Sequence, residues 1–224
     1  MFNTKTMSLK STLWTFLRLG RSVVSRDLRK DPQVRDPIVL FEAWFQAAIE
    51  SGIYLPEAIT LASSTSDGIP SARMVLLKGV DNAGFVFYTN YTSRKAVELT
   101  ANPRAALVAY WATLQRQVRV EGMVERVSPE ESEAYFASRG RQSRIGAWAS
   151  KQSARLENRE TLLARVRRYN DEFEDSDVAL PPFWGGYRVV PERIEFWQGR
   201  ANRLHDRLVF TRKGDAWDLH RVYP

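Results

Sequence analysis

Between Trp197 and Arg207 the chain reads WQGRANRLHDR, which gathers three arginines, a histidine and an indole into eleven residues. If this stretch is a strand, Arg203, His205 and Arg207 alternate onto one face. Three such groups repel one another unless an anionic or aromatic ligand lies between them, and Asp206 offers the competing, purely internal neutralisation. Four other stretches hold comparable groups. Arg73-Met74-Val75-Leu76-Leu77-Lys78 brackets an apolar run with two cations. Tyr88-Thr89-Asn90 runs into Thr92-Ser93-Arg94-Lys95, which has the form of a strand leading to a helix capped by Thr92 or Ser93. Arg94 and Lys95 in a first turn oppose the helix dipole, and a bound phosphate removes that conflict. Tyr135 and Arg139 stand four apart on the helix that Ser128-Pro129-Glu130-Glu131 opens, so they share a face, and Ser143 follows a turn at Gly140; together they make a cup for a second phosphate. Lys151-Gln152-Ser153, with Gln117, supplies neutral amides and a hydroxyl suited to a flavin edge or phosphate oxygens. Taken singly, each of these reads equally well as ordinary surface chemistry.

The elements that must position these groups fall into two kinds. Pro37–Gly52 has helical spacing and ends on a glycine. Strand patterns follow at Ala58–Ser64, Ser71–Val80, Phe85–Thr89, Ala105–Trp111 and Gln115–Val127, separated by turns such as Asp67-Gly68 and Asp81-Asn82-Ala83-Gly84. Ser128-Pro129-Glu130-Glu131 is a capping box that opens a helix. A long helix is predicted over Ala154–Phe173, and Pro181-Pro182 breaks the chain after it. Strands return at Tyr187–Val190, Ile194–Trp197, Arg207–Thr211 and Trp217–Val222. The pattern predicts an α+β chain, mainly β: an antiparallel split β-barrel with helices around it. Residues 37–224 form one domain in this reading, and residues 1–36 a basic, mobile arm.

Composition narrows the chemistry. The 224 residues are 44% hydrophobic, enough for a core, and no apolar run is long enough to span a membrane. The chain has no cysteine, which excludes disulfides, thiolate nucleophiles and Cys-ligated metals, and its two histidines make a His-rich metal centre a poor candidate. A cysteine-free chain suits a reducing compartment, and the cytoplasm is expected. The first 26 residues lack acids and carry Lys5, Lys10, Arg18, Arg21 and Arg26, which also suits organelle targeting. The net charge of +7 favours anionic ligands. No helix-turn-helix or RNA-binding signature accompanies it, so neither nucleic acid nor membrane is an expected partner.

Taken in order, RMVLLKG, FYTNYTSRKA, LQRQVRVEG, YFASRGRQSRIGAWASKQS, FWGGYRV and IEFWQGRANRLHDR resemble the pyridoxine/pyridoxamine 5′-phosphate oxidase family over about Pro37 to Pro224. The resemblance implies an FMN-binding split barrel working as a homodimer with FMN at the subunit interface. It implies oxidation of pyridoxamine and pyridoxine 5′-phosphates by O2 to pyridoxal 5′-phosphate, with release of hydrogen peroxide and, from the amine, ammonia. Arg73, Met74, Val75, Leu76, Leu77, Lys78, Tyr88, Thr89, Arg94, Lys95, Gln117, Gln152, Ser153, Trp197 and Arg207 match the family's FMN contacts. Lys78, Tyr135, Arg139 and Ser143 match its substrate-phosphate contacts. Arg203, Leu204 and His205 match the segment that holds the substrate ring against the flavin, with Arg203 and His205 as the catalytic pair.

One region departs from the family pattern. An Arg-Glu-Tyr motif near the family's N-terminus covers the substrate, whereas here the chain reads LRLGRSVVSRDLRKDPQVRD and has no Tyr before Tyr54. Arg18 or Arg21 is the available cation. The competing readings are another split-barrel flavin reductase or oxidase, a non-catalytic flavin or pyridoxal 5′-phosphate carrier, and a nucleic-acid-binding protein.

Overall fold

The computed structural model describes Leu28 and residues 35–224. The rest of the basic arm, with Arg18 and Arg21, lies outside the described residues. Leu28 itself is fully buried, and its carbonyl accepts a bond from Arg221 Nη2 at 2.5 Å.

The described residues form five α-helices and eight strands. In chain order these are α1 (Pro37–Glu50), β1 (Ala58–Ser64), β2 (Pro70–Asp81), β3 (Gly84–Asn90), α2 (Arg94–Ala101), β4 (Arg104–Trp111), β5 (Arg116–Arg126), α3 (Pro129–Ala137), α4 (Arg141–Ala149), α5 (Arg159–Glu172), β6 (Trp184–Gln198), β7 (Asp206–Lys213) and β8 (Ala216–Arg221). Neighbouring strands run in the order β3-β2-β1-β4-β5-β6-β7-β8, and β3 also pairs with β6. That last pairing closes six antiparallel strands into a barrel and bears out the expected fold. Among the described residues no helix is long and apolar enough to cross a membrane.

Alternation fills the barrel. Ile59 and Leu61 of β1, Leu107 and Trp111 of β4, Val118 and Val120 of β5, and Ile194 and Phe196 of β6 all point inward and are buried. Helix α1 plugs one opening. Asp36 caps it, its carboxylate accepting from Ile38 N at 2.8 Å, and Pro37 supplies a preset φ at the first position. Its apolar face drives Phe41 against Phe85, with ring centroids 5.0 Å apart, and Trp44 against Phe196 at 5.3 Å. Each fully buried ring of this kind contributes on the order of 2–3 kcal/mol.

The split follows from how β6 is shared. Its residues Trp184–Val189 pair with β3, whereas Arg193–Gln198 pair with β7. Strand β2 joins β3 only at Leu77 and beyond; after Phe87, β3 leaves β2 and continues against β6. The stretch of β2 before Leu77 therefore borders an opening in the wall. A β-bulge at Lys78 marks the divergence.

Four local expectations are corrected. The two strands predicted at Tyr187–Val190 and Ile194–Trp197 are one strand, because Pro191 sits at a register shift opposite Gly122 and does not interrupt the ladder. The helix predicted over Ala154–Phe173 begins at Arg159, where the Asn158 side chain caps Thr161 N at 2.9 Å. Helix α3 ends at Ala137, so Tyr135 and Arg139 do not share a helical face. Finally, β7 starts at Asp206; Arg203 lies in a 3₁₀ turn at φ 61°, so Arg203, His205 and Arg207 do not alternate along one strand.

Candidate functional site

The first group of polar side chains surrounds the start of α2. Ser93 caps the helix, as the spacing predicts, although its hydroxyl makes no capping bond. Lys95 is buried, and its Nζ lies 3.1 Å from Thr89 Oγ1, 3.0 Å from Gln152 Oε1 and 3.3 Å from Ser93 Oγ. Burial and the nearby Arg73 lower its pKa to about 8, against the opposing pull of Glu98. Gln152 reaches this point from the loop after α4, where Ser153 adopts a left-handed φ of 73°. Thr89 Oγ1 donates to the same Gln152 oxygen at 2.9 Å.

Behind Lys95 stands Glu98, 4% exposed. It accepts from Ser63 Oγ at 2.6 Å, Ser71 Oγ at 2.5 Å, Arg73 Nη2 at 3.1 Å and Arg94 Nε at 2.8 Å. Burial pushes its carboxyl up, yet these four bonds outweigh burial and hold it at about 2. No local sequence pattern singles out Glu98, Ser63 or Ser71. The i,i+4 spacing of Arg94 and Glu98 was the available signal, and it reads as a surface pair.

The second group lines the opening between β2 and β3. Lys78, at the bulge, places Nζ 3.8 Å from Glu57. The Tyr88 ring stacks on Tyr135 at 3.9 Å and on Trp184 at 5.5 Å. Gly186 permits this: a Cβ there would lie 2.8 Å from the Tyr88 ring. Burial, Glu131 and Tyr135 hold the Tyr88 phenol protonated well above its usual range. Burial also raises the Tyr135 phenol, with Arg139 lowering it and Glu57 raising it, so Glu57 faces both Lys78 and Tyr135. Arg139 lies over the Trp184 ring at 4.8 Å. Its Nη1 is buried without a hydrogen-bond partner, and burial lowers its pKa. Ser143 is exposed in the first turn of α4, where the cap Gly140 offers no side chain to the free helical amides. Tyr88, Tyr135 and Arg139 thus gather around Trp184, despite Tyr135 and Arg139 belonging to different local structures, and Lys78 is linked to them through Glu57. Trp184 joins them unforeseen.

The third group sits on the outer wall. Gln117, Trp197 and Arg207 are consecutive partners across β5, β6 and β7. Arg207 Nε donates to Glu195 at 2.8 Å, and its Nη1 to the Tyr223 carbonyl at 3.0 Å. Glu195 is 2% exposed; burial raises its carboxyl, and bonds from Arg207 and Arg193 pull it below the usual range. The imidazole of His205 lies 4.6 Å from the Trp197 ring, and its Nδ1 accepts the Arg200 backbone N–H at 3.1 Å. Arg200 Nε in turn donates to Asp206 at 2.6 Å. Asn202 and Arg203 both hold left-handed φ, and Arg203 and Leu204 are exposed. Two adjacent non-glycine residues in that region store strain, as binding loops often do.

The remaining candidates divide by strand face. Leu77 is fully buried and Val75 packs against the core, which leaves their backbones to face a ligand. Met74 and Leu76 are 60% and 41% exposed on the outer face.

Chemically, the first group is a cationic, hydroxyl- and amide-lined cradle fitted to a phosphate. The unpaired β2 border gives a planar ring a backbone edge to bond. The second group offers another phosphate a guanidinium with an unsatisfied donor. This donor set fits a flavin mononucleotide beside a second phosphorylated ring. Within one chain, though, no hydrogen bond or ring contact among the described residues joins the third group to the other two. The third group lies on the Arg193–Gln198 half of β6, which pairs with β7, whereas β3 pairs with the Trp184–Val189 half.

Comparison with known proteins bears on these groups. The family model for pyridoxamine 5′-phosphate oxidase matches residues 45–172, and the model for the pyridoxine 5′-phosphate oxidase C-terminal dimerisation region matches residues 184–224. The pyridoxine/pyridoxamine 5′-phosphate oxidase of Rubrobacter xylanophilus is 56% identical over 206 residues, covering 92% of this chain and 95% of its own. That of Psychromonas ingrahamii is 52% identical over 219 residues, covering 97% and 100%. Among solved structures, PhzG from Burkholderia lata, in complex with tetrahydrophenazine-1-carboxylic acid, aligns with a TM-score of 0.81 and 31% identity over 86% of this chain and 94% of that one. A pyridoxamine 5′-phosphate oxidase-related, FMN-binding protein from Nostoc punctiforme aligns with a TM-score of 0.67 and 17% identity over 85% and 100%, a likeness of fold.

Proposed function

The chain belongs to the pyridoxamine 5′-phosphate oxidase family, and from that premise we propose that it is an FMN-dependent oxidase making pyridoxal 5′-phosphate. Its substrates are pyridoxamine and pyridoxine 5′-phosphates, its electron acceptor is O2, and its co-products are hydrogen peroxide and, from the amine, ammonia. The observation that carries this reading is Arg139. A half-buried guanidinium with a buried Nη1 donor left over, beside Tyr135 and Trp184, is costly unless an anion completes it. A substrate phosphate completes it.

Bound FMN supplies the acceptor for a hydride equivalent from the substrate carbon and passes the electron pair to O2. The chain's own work is binding and alignment. Arg94, Lys95, Thr89, Gln152 and Ser153 hold the cofactor phosphate, and the β2 backbone from Arg73 to Lys78 borders its ring. Lys78, Tyr135, Arg139 and Ser143 hold the substrate phosphate, whose binding energy fixes the reacting carbon. Arg203 orients the pyridine. Because the Arg200 N–H occupies His205 Nδ1, His205 presents its Nε2–H as a donor to the ring substituents. Gln117, Trp197 and Arg207 close over the flavin.

A homodimer supports this division of labour. Trp197, Arg203, His205 and Arg207 fall inside the match to the dimerisation region. In a two-fold dimer the partner's copy of this segment faces the opening between β2 and β3, and FMN lies at the interface. The measurement is oxygen uptake by the purified protein with each phosphorylated substrate. A yellow protein consuming O2 with at least one of them is expected. A yellow protein inert to both would sink the substrate assignment and favour an oxidase with another substrate, the reading that the likeness to PhzG supports. Tight flavin binding with no oxygen uptake from any donor would point to a carrier.

A further inference from the structure

Glu98 has no place among the residues assigned to cofactor or substrate, yet it is the most heavily bonded carboxylate near them. A buried carboxylate carries a large desolvation cost, and an apolar side chain would fill the same volume without it. What an apolar side chain cannot do is hold two guanidiniums. Glu98 takes Arg94 through Oε1, while Oε2 accepts from Arg73, Ser63 and Ser71 together. Arg94 spends its Nε on this bond and keeps its side chain 62% exposed. Three cations, Arg73, Arg94 and Lys95, crowd this one corner. Glu98 offsets part of their mutual repulsion and leaves a surplus of two positive charges, the complement of a phosphate monoester dianion.

We infer that Glu98 is the positioning residue of the phosphate cradle, aiming Arg73 and Arg94 and keeping Lys95 protonated for the anion. This deepens the FMN reading and rests on it. Every charged or polar group facing Lys95 enters the argument: Arg73 from β2, Thr89 from β3, Ser93, Arg94 and Glu98 at α2, and Gln152 from the loop after α4. Of these, only Glu98 favours the ammonium electrostatically. The sign follows. Lys95 has a pKa of about 8 in the free protein, and a bound dianion favours its charged form. The Lys95 contribution to phosphate affinity is therefore full below pH 8 and is lost as pH rises through 8. Removing the Glu98 charge moves that fall to lower pH.

The test is a fluorescence titration of FMN into the full-length apoprotein between pH 5.5 and 9.5, for the wild type, Glu98→Gln and Lys95→Arg. Wild-type affinity should rise as the FMN phosphate loses its second proton near pH ~6, then fall above about 8. Glu98→Gln should weaken binding about tenfold at pH 7 and shift the fall about one unit lower. Lys95→Arg, which cannot titrate, should abolish the fall. A Glu98→Gln profile parallel to the wild type at every pH, with only a lower melting temperature, marks a structural role and overturns the inference. So does a fall near pH 8 that survives in Lys95→Arg, an arm that stands even if Glu98→Gln does not fold. Inorganic phosphate, read by thermal stabilisation over the same pH range, separates the two proposals. Phosphate protection with the expected profile but no FMN binding removes the cofactor reading and retains the cradle; no such profile with either ligand overturns the cradle.

Discussion

The cradle around Lys95 and the turn from Gly199 to Asp206 are both crowded with cations, and they solve that problem in opposite ways. The cradle is internal. Its lysine and carboxylate are buried, and Glu98 and Gln152 accept bonds from four elements, β1, β2, β3 and α2. The turn is external. It exposes Arg203 and Leu204, holds Asn202 and Arg203 at left-handed φ, and is tied at its base by Arg200–Asp206 and by the Arg200 N–H on His205. A site built inside one chain can be finished before the ligand arrives. A site offered outward can only be finished by something docking on it. In the proposed reading, the cofactor phosphate belongs to one subunit's preformed corner and the ring chemistry to the meeting of two subunits.

Arg203→Ala breaks the contrast hardest. The guanidinium is exposed and makes no hydrogen bond or ion pair among the described residues, so removing it should leave FMN content and melting temperature nearly unchanged. Turnover should fall by about a hundredfold or more, since ring alignment is what the residue supplies. A steady-state assay alongside the flavin absorbance ratio reads both. Loss of FMN in step with turnover would place Arg203 in the cofactor site and erase the distinction.

Arg94→Ala tests the other region. One charge-assisted bond to the cofactor phosphate is lost, and Glu98 loses one of its four donors. FMN dissociation should become about 10- to 100-fold easier. At saturating FMN, turnover should recover to near the wild-type rate, which separates this variant from Arg203→Ala.

The same contrast explains what could be read from sequence. Strand alternation and turn residues locate the barrel: Ala58–Ser64 is a strand as predicted, and Ser128 accepts from Glu131 N at 3.1 Å as a capping box should. Helix α4 was missed because its cap, Gly140, carries no side chain to announce it. Pro191 reads as a break, yet it is accommodated where Gly122 lets the backbone approach; a Cβ at Gly122 would stand 1.9 Å from the Val190 carbonyl. The cationic candidates were legible because burying or clustering charge demands an anion. Their counter-ions were not. Glu98 and Glu195 look like surface acids until long-range packing buries them, and the Tyr88–Tyr135–Trp184 stack joins residues that no local pattern connects. The strand expected across Arg203–Arg207 fails for a related reason. The turn's geometry is set by His205 and Asp206 bonding back to Arg200, and alternation of residue types does not encode that.

Asp206→Asn gives the smallest effect and the sharpest reading of the turn. The Arg200 Nε–Asp206 bond is 2.6 Å long between side chains that are 24% and 20% exposed, and Arg221 approaches the same carboxylate at 3.7 Å. An amide keeps the shape and one acceptor but gives up the charge. Arg200 then loosens, and with it the backbone N–H that occupies His205 Nδ1. Turnover should drop about fivefold, equivalent to ~1 kcal/mol, because a partly solvated pair is worth little more than that. Affinity for FMN should stay at the wild-type value, since Asp206 bonds to Arg200 and Arg221 and to no residue of the cradle among the described residues. The decisive comparison is the ¹⁵N spectrum of His205 in the two proteins. In the wild type, Nδ1 should appear as the unprotonated, hydrogen-bonded nitrogen and Nε2 as the protonated one; in Asp206→Asn the two tautomers should mix. A fixed tautomer in the variant, with the same loss of turnover, would show that the turn positions Arg203 alone and that His205 is held by its stacking on Trp197.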